Sequence, residues 1–197
     1  MIPIIDLASD DVVDKFRAAY SEVGFAYLTR HGIAQELIND VFTAAHDFHA
    51  LPLESKMAIE LNEIHRGFIP INTSTDRKST LANVRKPNQS ESFMMMREAG
   101  PNDPDVLAGA YLAGPNQWPA LPGFRDTVVA YEQAMLQLAE RLTDIVAVVL
   151  NDGDRVVPRS FERPTTWLRL LHYPSQAPCT PDDVYGSAPH TDFGFIT

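Results

Sequence analysis

Cysteine is almost missing from this chain. Cys179 is the single one among 197 residues, so no intrachain disulfide can form and the fold does not depend on an oxidising compartment. Cys179 lies in a proline-containing loop and reads as a surface thiol. Long apolar runs are missing too. The longest, IVAVVL from Ile145 to Leu150, falls far short of the roughly 20 residues that cross a bilayer as a helix. The opening MIPIIDLASDDVV has no basic segment and reaches an acid by Asp6, so it does not read as a secretory signal and a cytoplasmic address is the expectation. Positive charge is scarce: Lys and Arg number 16 against 26 Asp and Glu, for a net charge of −10. Such a balance disfavours nucleic acid and anionic membranes as partners. There is no internal repeat and no low-complexity tract, and nothing in the sequence fixes an oligomeric state.

What is present is ordinary globular material. The hydrophobic share is 45% and the charged share 21%, in a chain long enough for a sizeable core. PIIDL (3–7) reads as a short buried strand, and Ser9 as the cap of a helix whose apolar positions include Phe16, Ala19 and Tyr20, ended by Gly24. FAYLT (25–29) is strand-like. A second helix follows with Leu37, Ile38, Val41, Phe42, Ala45 and Phe48 on its apolar face, and a third begins near Pro52. The polar segment 71–90 reads as a mobile loop, SFMMM as a strand, and about 124–150 as a long amphipathic helix broken by NDGD. TTWLRLLHYP and SAPHTDFGFIT, rich in β-branched and aromatic residues, read as late strands.

His190 and Asp192 stand two apart in the last of these. On a strand they would share a face with Cα atoms about 6.5 Å apart, close enough to converge on one ion. A mononuclear site normally takes three protein ligands. The third would have to lie elsewhere, or the site is cut in half, or the pair is not a site.

Context beyond this triplet comes from motifs spread along the chain. IPIIDL, GFAYLTRHGI, RGFIP, SESF, NQWPALPGFR, LRLLHYP and HTDFGFIT occur in the order and approximate spacing of the isopenicillin N synthase-like family of Fe(II)/2-oxoglutarate-dependent dioxygenases, which the chain resembles nearly from end to end. The resemblance implies an α+β fold, with a helical amino-terminal region packed on a double-stranded β-helix (jelly roll). It divides the chain into an amino-terminal dioxygenase region, 1–118, and a segment 119–197 holding the long helix and the first part of the catalytic core. It further implies His190 and Asp192 as iron ligands, Tyr173 as a contact of the 2-oxoglutarate carboxylate, and no catalytic residue beyond the metal ligands. The family's distal His and Arg-x-Ser would fall beyond Thr197, so the chain is expected to be an incomplete portion of such an enzyme. Leu171 stands where plant-type members often carry Asn, which removes one polar contact.

The implied activity is oxidation of a small molecule (hydroxylation, desaturation or ring closure) coupled to decarboxylation of 2-oxoglutarate. Fe(II), 2-oxoglutarate and O2 are the implied cofactors, with ascorbate as an optional reductant. Two alternatives stand beside it: an iron oxidase of the same family that uses no 2-oxoglutarate, and a non-catalytic binding domain on the same fold. Arg169 shares the expected face of Tyr173, as a barrel-interior residue or a structural ion pair. His172 falls on the opposite face and reads as no ligand. His46 and His49 read as a solvated helix face, Met94 to Met96 as core, and Trp118 and Trp167 as core or interface.

Overall fold

A computed structural model describes residues 1–75, 81, 84–192 and 194–197. In chain order they form β1 (Ile4–Asp6), α1 (Val12–Glu22), β2 (Tyr27–Thr29), α2 (Gln35–His49), α3 (Leu53–Met57), β3 (Gly67–Ile69), β4 (Glu91–Met96), α4 (Pro104–Leu107), α5 (Phe124–Val149), α6 (Val156–Ser160) and β5 (Trp167–His172). Two compact units result, Met1–Asp40 with Val128–Thr165, and Val41–Thr127 with Thr166–Thr197. No described helix is long and apolar enough to cross a membrane.

The first unit is built on a β1–α1–β2 crossover. The two strands run parallel, with Ile5 beside Leu28, and parallel strands need such a connection between them. Ile5, Leu7, Phe16 and Ala19 bury themselves with Leu142 and Ile145 of α5. The edge is fastened by polar contacts. Arg30 pairs with the Asp6 carboxylate, and the Arg141 guanidinium donates to the Leu7 carbonyl. Gly24 closes α1 at φ +83° while its N–H donates to the Ala19 carbonyl at 3.0 Å, as a left-handed C′ glycine does.

The second unit holds the antiparallel sheet β3–β4–β5. Phe68 of β3, Phe93 of β4 and Leu170 of β5 lie in register on one face. Phe48 and Phe124 meet Phe93 with ring centroids 5.4 and 5.0 Å away, a packing that aromatic quadrupoles favour. Two of the quoted motifs act on this sheet. Asn116, from NQWP, exchanges two hydrogen bonds with the Met96 backbone, donating to its carbonyl at 2.8 Å and accepting from its N–H at 3.0 Å. A side-chain amide thereby substitutes for a strand at the end of β4. Trp118 packs against Phe93 and Phe124.

Several expectations change. The first helix begins at Val12, because Ser9 turns back to donate to the Asp6 carbonyl at 2.8 Å. The strand at FAYLT shrinks to Tyr27–Thr29. Residues of SAPHTDFGFIT form no strand among those described, since none of the described strands pairs with them and a strand without a ladder has unmet backbone groups. Phe42, expected on the apolar face of α2, and Trp167 are exposed. The expected loop 71–90 falls partly on 76–80 and 82–83, which lie outside the described residues. Cys179 is exposed, as expected.

Gly67 opens β3 at φ +117°, and a Cβ there would sit 2.2 Å from the Ile59 carbonyl oxygen and 2.7 Å from Gln117 Nε2. The Phe68 N–H donates to that same Ile59 carbonyl at 2.7 Å, so the close approach is what the glycine in RGFIP permits. Gly67→Ala should lower stability by about 2–5 kcal/mol, combining backbone strain with overpacking. Gly100→Ala, where a Cβ meets nothing within 4 Å, should stay within about 0.5 kcal/mol of the parent. Urea unfolding midpoints check both, and equal midpoints would remove the close approach as the reason for glycine.

Candidate metal centre

Strand alternation sorts the side chains of β5. In register, Glu91 faces His172, Ser92 faces Leu171 and Met94 faces Arg169. Arg169 therefore lies on the face opposite the aromatic cluster, and its Nε donates to Ser92 Oγ at 2.8 Å. Tyr173 follows directly after β5 and is half exposed. Its ring lies over Gly186, where a Cβ would come within 2.9 Å of the ring. That glycine begins the segment leading to His190.

His190 and Asp192 converge without a strand. His190 Nε2 lies 3.1 Å from Asp192 Oδ1, and His190 Nδ1 lies 2.7 Å from the Ala188 carbonyl oxygen. A nitrogen facing a carbonyl has to carry the proton, which fixes the tautomer of a neutral ring and turns the Nε2 lone pair toward the carboxylate. Two acceptors so close are favourable only with a cation between them or a second proton on the ring. Ligand bonds of about 2.1 Å at a right angle put adjacent donor atoms about 3.0 Å apart. The donor pair thus fits a divalent metal by spacing, tautomer and charge.

A second cluster is better buried and was not expected. His49 Nδ1 lies 3.0 Å from Glu91 Oε1, and His172 Nδ1 lies 3.1 Å from the same oxygen. The ligand atoms of His49, Glu91 and His172 all fall within 4.8 Å of one another, the donor set of a metal site. Lys56 decides against that use. Its ammonium donates to Glu91 Oε1 at 2.8 Å, to Oε2 at 2.9 Å and to the His49 carbonyl at 3.1 Å. The positive charge that the carboxylate needs is already supplied, and a divalent ion beside it would be repelled. His49 is accordingly buried in an ion-paired cluster, correcting the expectation of a solvated face, whereas His46 is exposed. His172 reaches the same cluster from its own face of β5.

Burial is the largest influence on His49 and pushes its pKa below the ordinary 6.5, against hydrogen bonds to the Leu170 carbonyl and Glu91. For Glu91, burial pushes upward, but hydrogen bonds from Lys56, His172 and His49 outweigh it and hold the carboxyl below 4.5. Both depressed values have one sign: stability is fully present above the unfolded-state pKa and is lost as pH falls through the folded one. Thermal stability should therefore drop on acidification, first below about pH 6.5 through His49 and then below about 4.5 through Glu91. His49→Gln should flatten the upper step, and an unchanged step in the melting-temperature profile would assign it to another group. Glu91→Ala, which strands the buried Lys56 charge, should cost about 3–5 kcal/mol by urea unfolding.

Comparison with known proteins agrees with this architecture. Residues 2–121 match the family described as the N-terminal region of non-haem dioxygenase in morphine synthesis. The 2-oxoglutarate-dependent dioxygenase citB of Monascus ruber is 37% identical over 201 residues, covering 96% of this chain and 58% of its own length. The 2-oxoglutarate-Fe(II) type oxidoreductase hxnY of Emericella nidulans is 35% identical over 198 residues, covering 96% and 55%. The chain thus spans little more than half the length of these relatives. In fold it resembles a full-length Neurospora crassa protein solved in complex with alpha-KG, at a TM-score of 0.75 and 23% identity, with 98% of this chain and 61% of that one covered. With a matching family region over more than half its length, and relatives more than 30% identical along nearly all of it, this chain belongs to the non-haem, 2-oxoglutarate-dependent dioxygenase family.

Proposed function

We propose that this chain is part of a non-haem Fe(II), 2-oxoglutarate-dependent oxygenase that oxidises a small molecule. The observation that carries the reading is the His190–Asp192 pair, with Nε2 and Oδ1 3.1 Å apart and the Nδ1 proton engaged by the Ala188 carbonyl. In this reading His190 Nε2 and Asp192 Oδ1 hold the iron, and residues 119–197 contribute the start of the catalytic core. Bound iron supplies the redox chemistry with O2 and 2-oxoglutarate. The chain's own residues orient and shield. Asp192 brings one negative charge, which leaves a divalent ion net positive and attractive to the 2-oxoglutarate dianion. Tyr173 offers a phenolic O–H to a carboxylate of that cosubstrate, while its ring is seated on Gly186.

The names of the relatives support 2-oxoglutarate as cosubstrate. Small molecules are the substrate class, as for the JOX2 structure solved with 2OG, Fe and JA, which this fold resembles at a TM-score of 0.72. The reading includes a cytoplasmic address, compatible with a fold whose single thiol is free.

The test uses this sequence within a chain of the relatives' full length. Succinate release should require Fe(II), and His190→Ala or Asp192→Ala should abolish it. Tyr173→Phe should raise the KM for 2-oxoglutarate roughly tenfold to a hundredfold, from loss of a charge-assisted hydrogen bond of about 1.5–3 kcal/mol, while leaving the substrate KM near its parent value. Full Fe(II)-dependent turnover by His190→Ala would refute the ligand assignment.

A further inference from the structure

Three contacts stitch the segment before His190 to the residues that lead into β4. Lys86 pairs with Asp183 at 2.6 Å on the exposed surface, the Gln89 N–H donates to the Tyr185 carbonyl at 2.8 Å, and Asn88 Oδ1 accepts from the Ala188 N–H at 3.1 Å. They differ in kind. The first is solvated and screened, so it holds little. The second is backbone to backbone and indifferent to side-chain identity. The third is buried at both ends, with Asn88 7% and Ala188 1% exposed, and it depends on one side-chain oxygen. It is also the contact nearest the proposed ligands, because the Ala188 carbonyl is the group that engages His190 Nδ1.

We infer that Asn88 is a positioning residue for the metal pair, acting through Ala188 to fix the ring orientation and tautomer of His190. The chain of contacts is continuous. The Asn88 backbone is itself anchored, its N–H donating to the Ser74 carbonyl at 2.8 Å. Its Oδ1 holds the Ala188 N–H. Pro189 follows and restricts Ala188 to extended backbone, which stiffens the link. The Ala188 carbonyl then holds the Nδ1 proton, leaving Nε2 facing Asp192 Oδ1. A hydrogen bond between residues two apart on an exposed loop would not by itself keep one orientation; the buried Asn88 contact supplies the fixed point. Outer contacts of this kind set ligand orientation, and losing one weakens metal affinity about tenfold to a hundredfold.

The inference rests on the proposed role of His190 and Asp192, and a metal titration separates the two. Mn(II) added to an isotope-labelled chain of the relatives' full length that carries this sequence broadens the amide signals of nearby residues, so the readout is site-specific and independent of turnover. In the parent, signals around His190 and Asp192 should broaden at low Mn(II). Asn88→Leu, which keeps comparable bulk without the acceptor, should need about tenfold to a hundredfold more, with the signals of β4 and β5 unmoved. Asn88→Asp, which retains an oxygen at the same place, should recover most of the loss. Parental broadening in Asn88→Leu, alongside its loss in His190→Ala, would overturn the positioning role while sparing the ligand assignment. Unchanged broadening in a His190→Ala/Asp192→Ala chain would overturn both. The parent gives a check that needs no variant: the Ala188 amide should exchange with solvent much more slowly than that of exposed Gln176, and equal rates would refute the buried contact.

Discussion

The buried carboxylate of Glu91 is the constraint on which the second unit turns. It stands at the first residue of β4 and draws together α2 through His49, α3 through Lys56 and β5 through His172. A carboxylate taken out of water is tolerated only with a partner charge and filled hydrogen-bonding positions, and each of these elements supplies one. The consequence is geometric. Once His172 is tied to Glu91, the register of β5 on β4 is set, and with it the alternation that puts Arg169 on the opposite face against Ser92. A slip by one residue would exchange the two faces, lose the Glu91–His172 contact and move Leu170 out of the aromatic core.

The aromatic cluster and the polar cluster do different work on the same face of that sheet. Phe48, Phe68, Phe93 and Phe124 bury area and tolerate small shifts, since their contacts are non-directional. The Glu91 cluster adds direction. Lys56 links the two: its ammonium binds Glu91 and also lies 5.1 Å from the Phe68 ring centroid, so the cation that neutralises the carboxylate also rests on the aromatic wall. The close approach at Gly67 then fastens β3 against the Ile59–Glu60 backbone.

Much of this is legible in the sequence. The apolar stripe at 124–150 gives the long helix to within a residue of α5 at each end, because a strong 3.6-residue period over that length has few competing explanations. The motifs NQWP and RGFIP stand out by likeness, and their physical reasons emerge only with the fold, in the Asn116 bonds to Met96 and in the Gly67 approach. His49 is misleading. It follows Phe48 at the end of an amphipathic helix, and nothing local distinguishes it from exposed His46. Its partners are 42 residues away at Glu91 and 121 away at Leu170, and periodicity carries no information about contacts so distant. The segment at His190 misleads for the complementary reason: β-branched and aromatic composition expresses what a segment would do beside a partner strand, and none of the described strands pairs with it.

The two histidine–carboxylate clusters show why residue type and spacing do not decide what a site binds. His49, Glu91 and His172 are the fuller donor set and the more buried, yet Lys56 already occupies the electrostatic role of a metal there. His190 and Asp192 are only two groups on a surface loop, but the Nδ1 contact to Ala188 turns the ring so that its remaining lone pair meets an anion at 3.1 Å. In the first cluster the surrounding residues supply the cation; in the second, on the reading proposed above, they leave a place for one. The difference comes from a single lysine in one case and a single carbonyl in the other. Both depend on the start of β4 and the residues just before it: Glu91 begins the strand, and Asn88, three positions earlier, holds Ala188. One short stretch of chain, from Asn88 to Glu91, therefore both closes the buried cluster and supports the candidate metal pair.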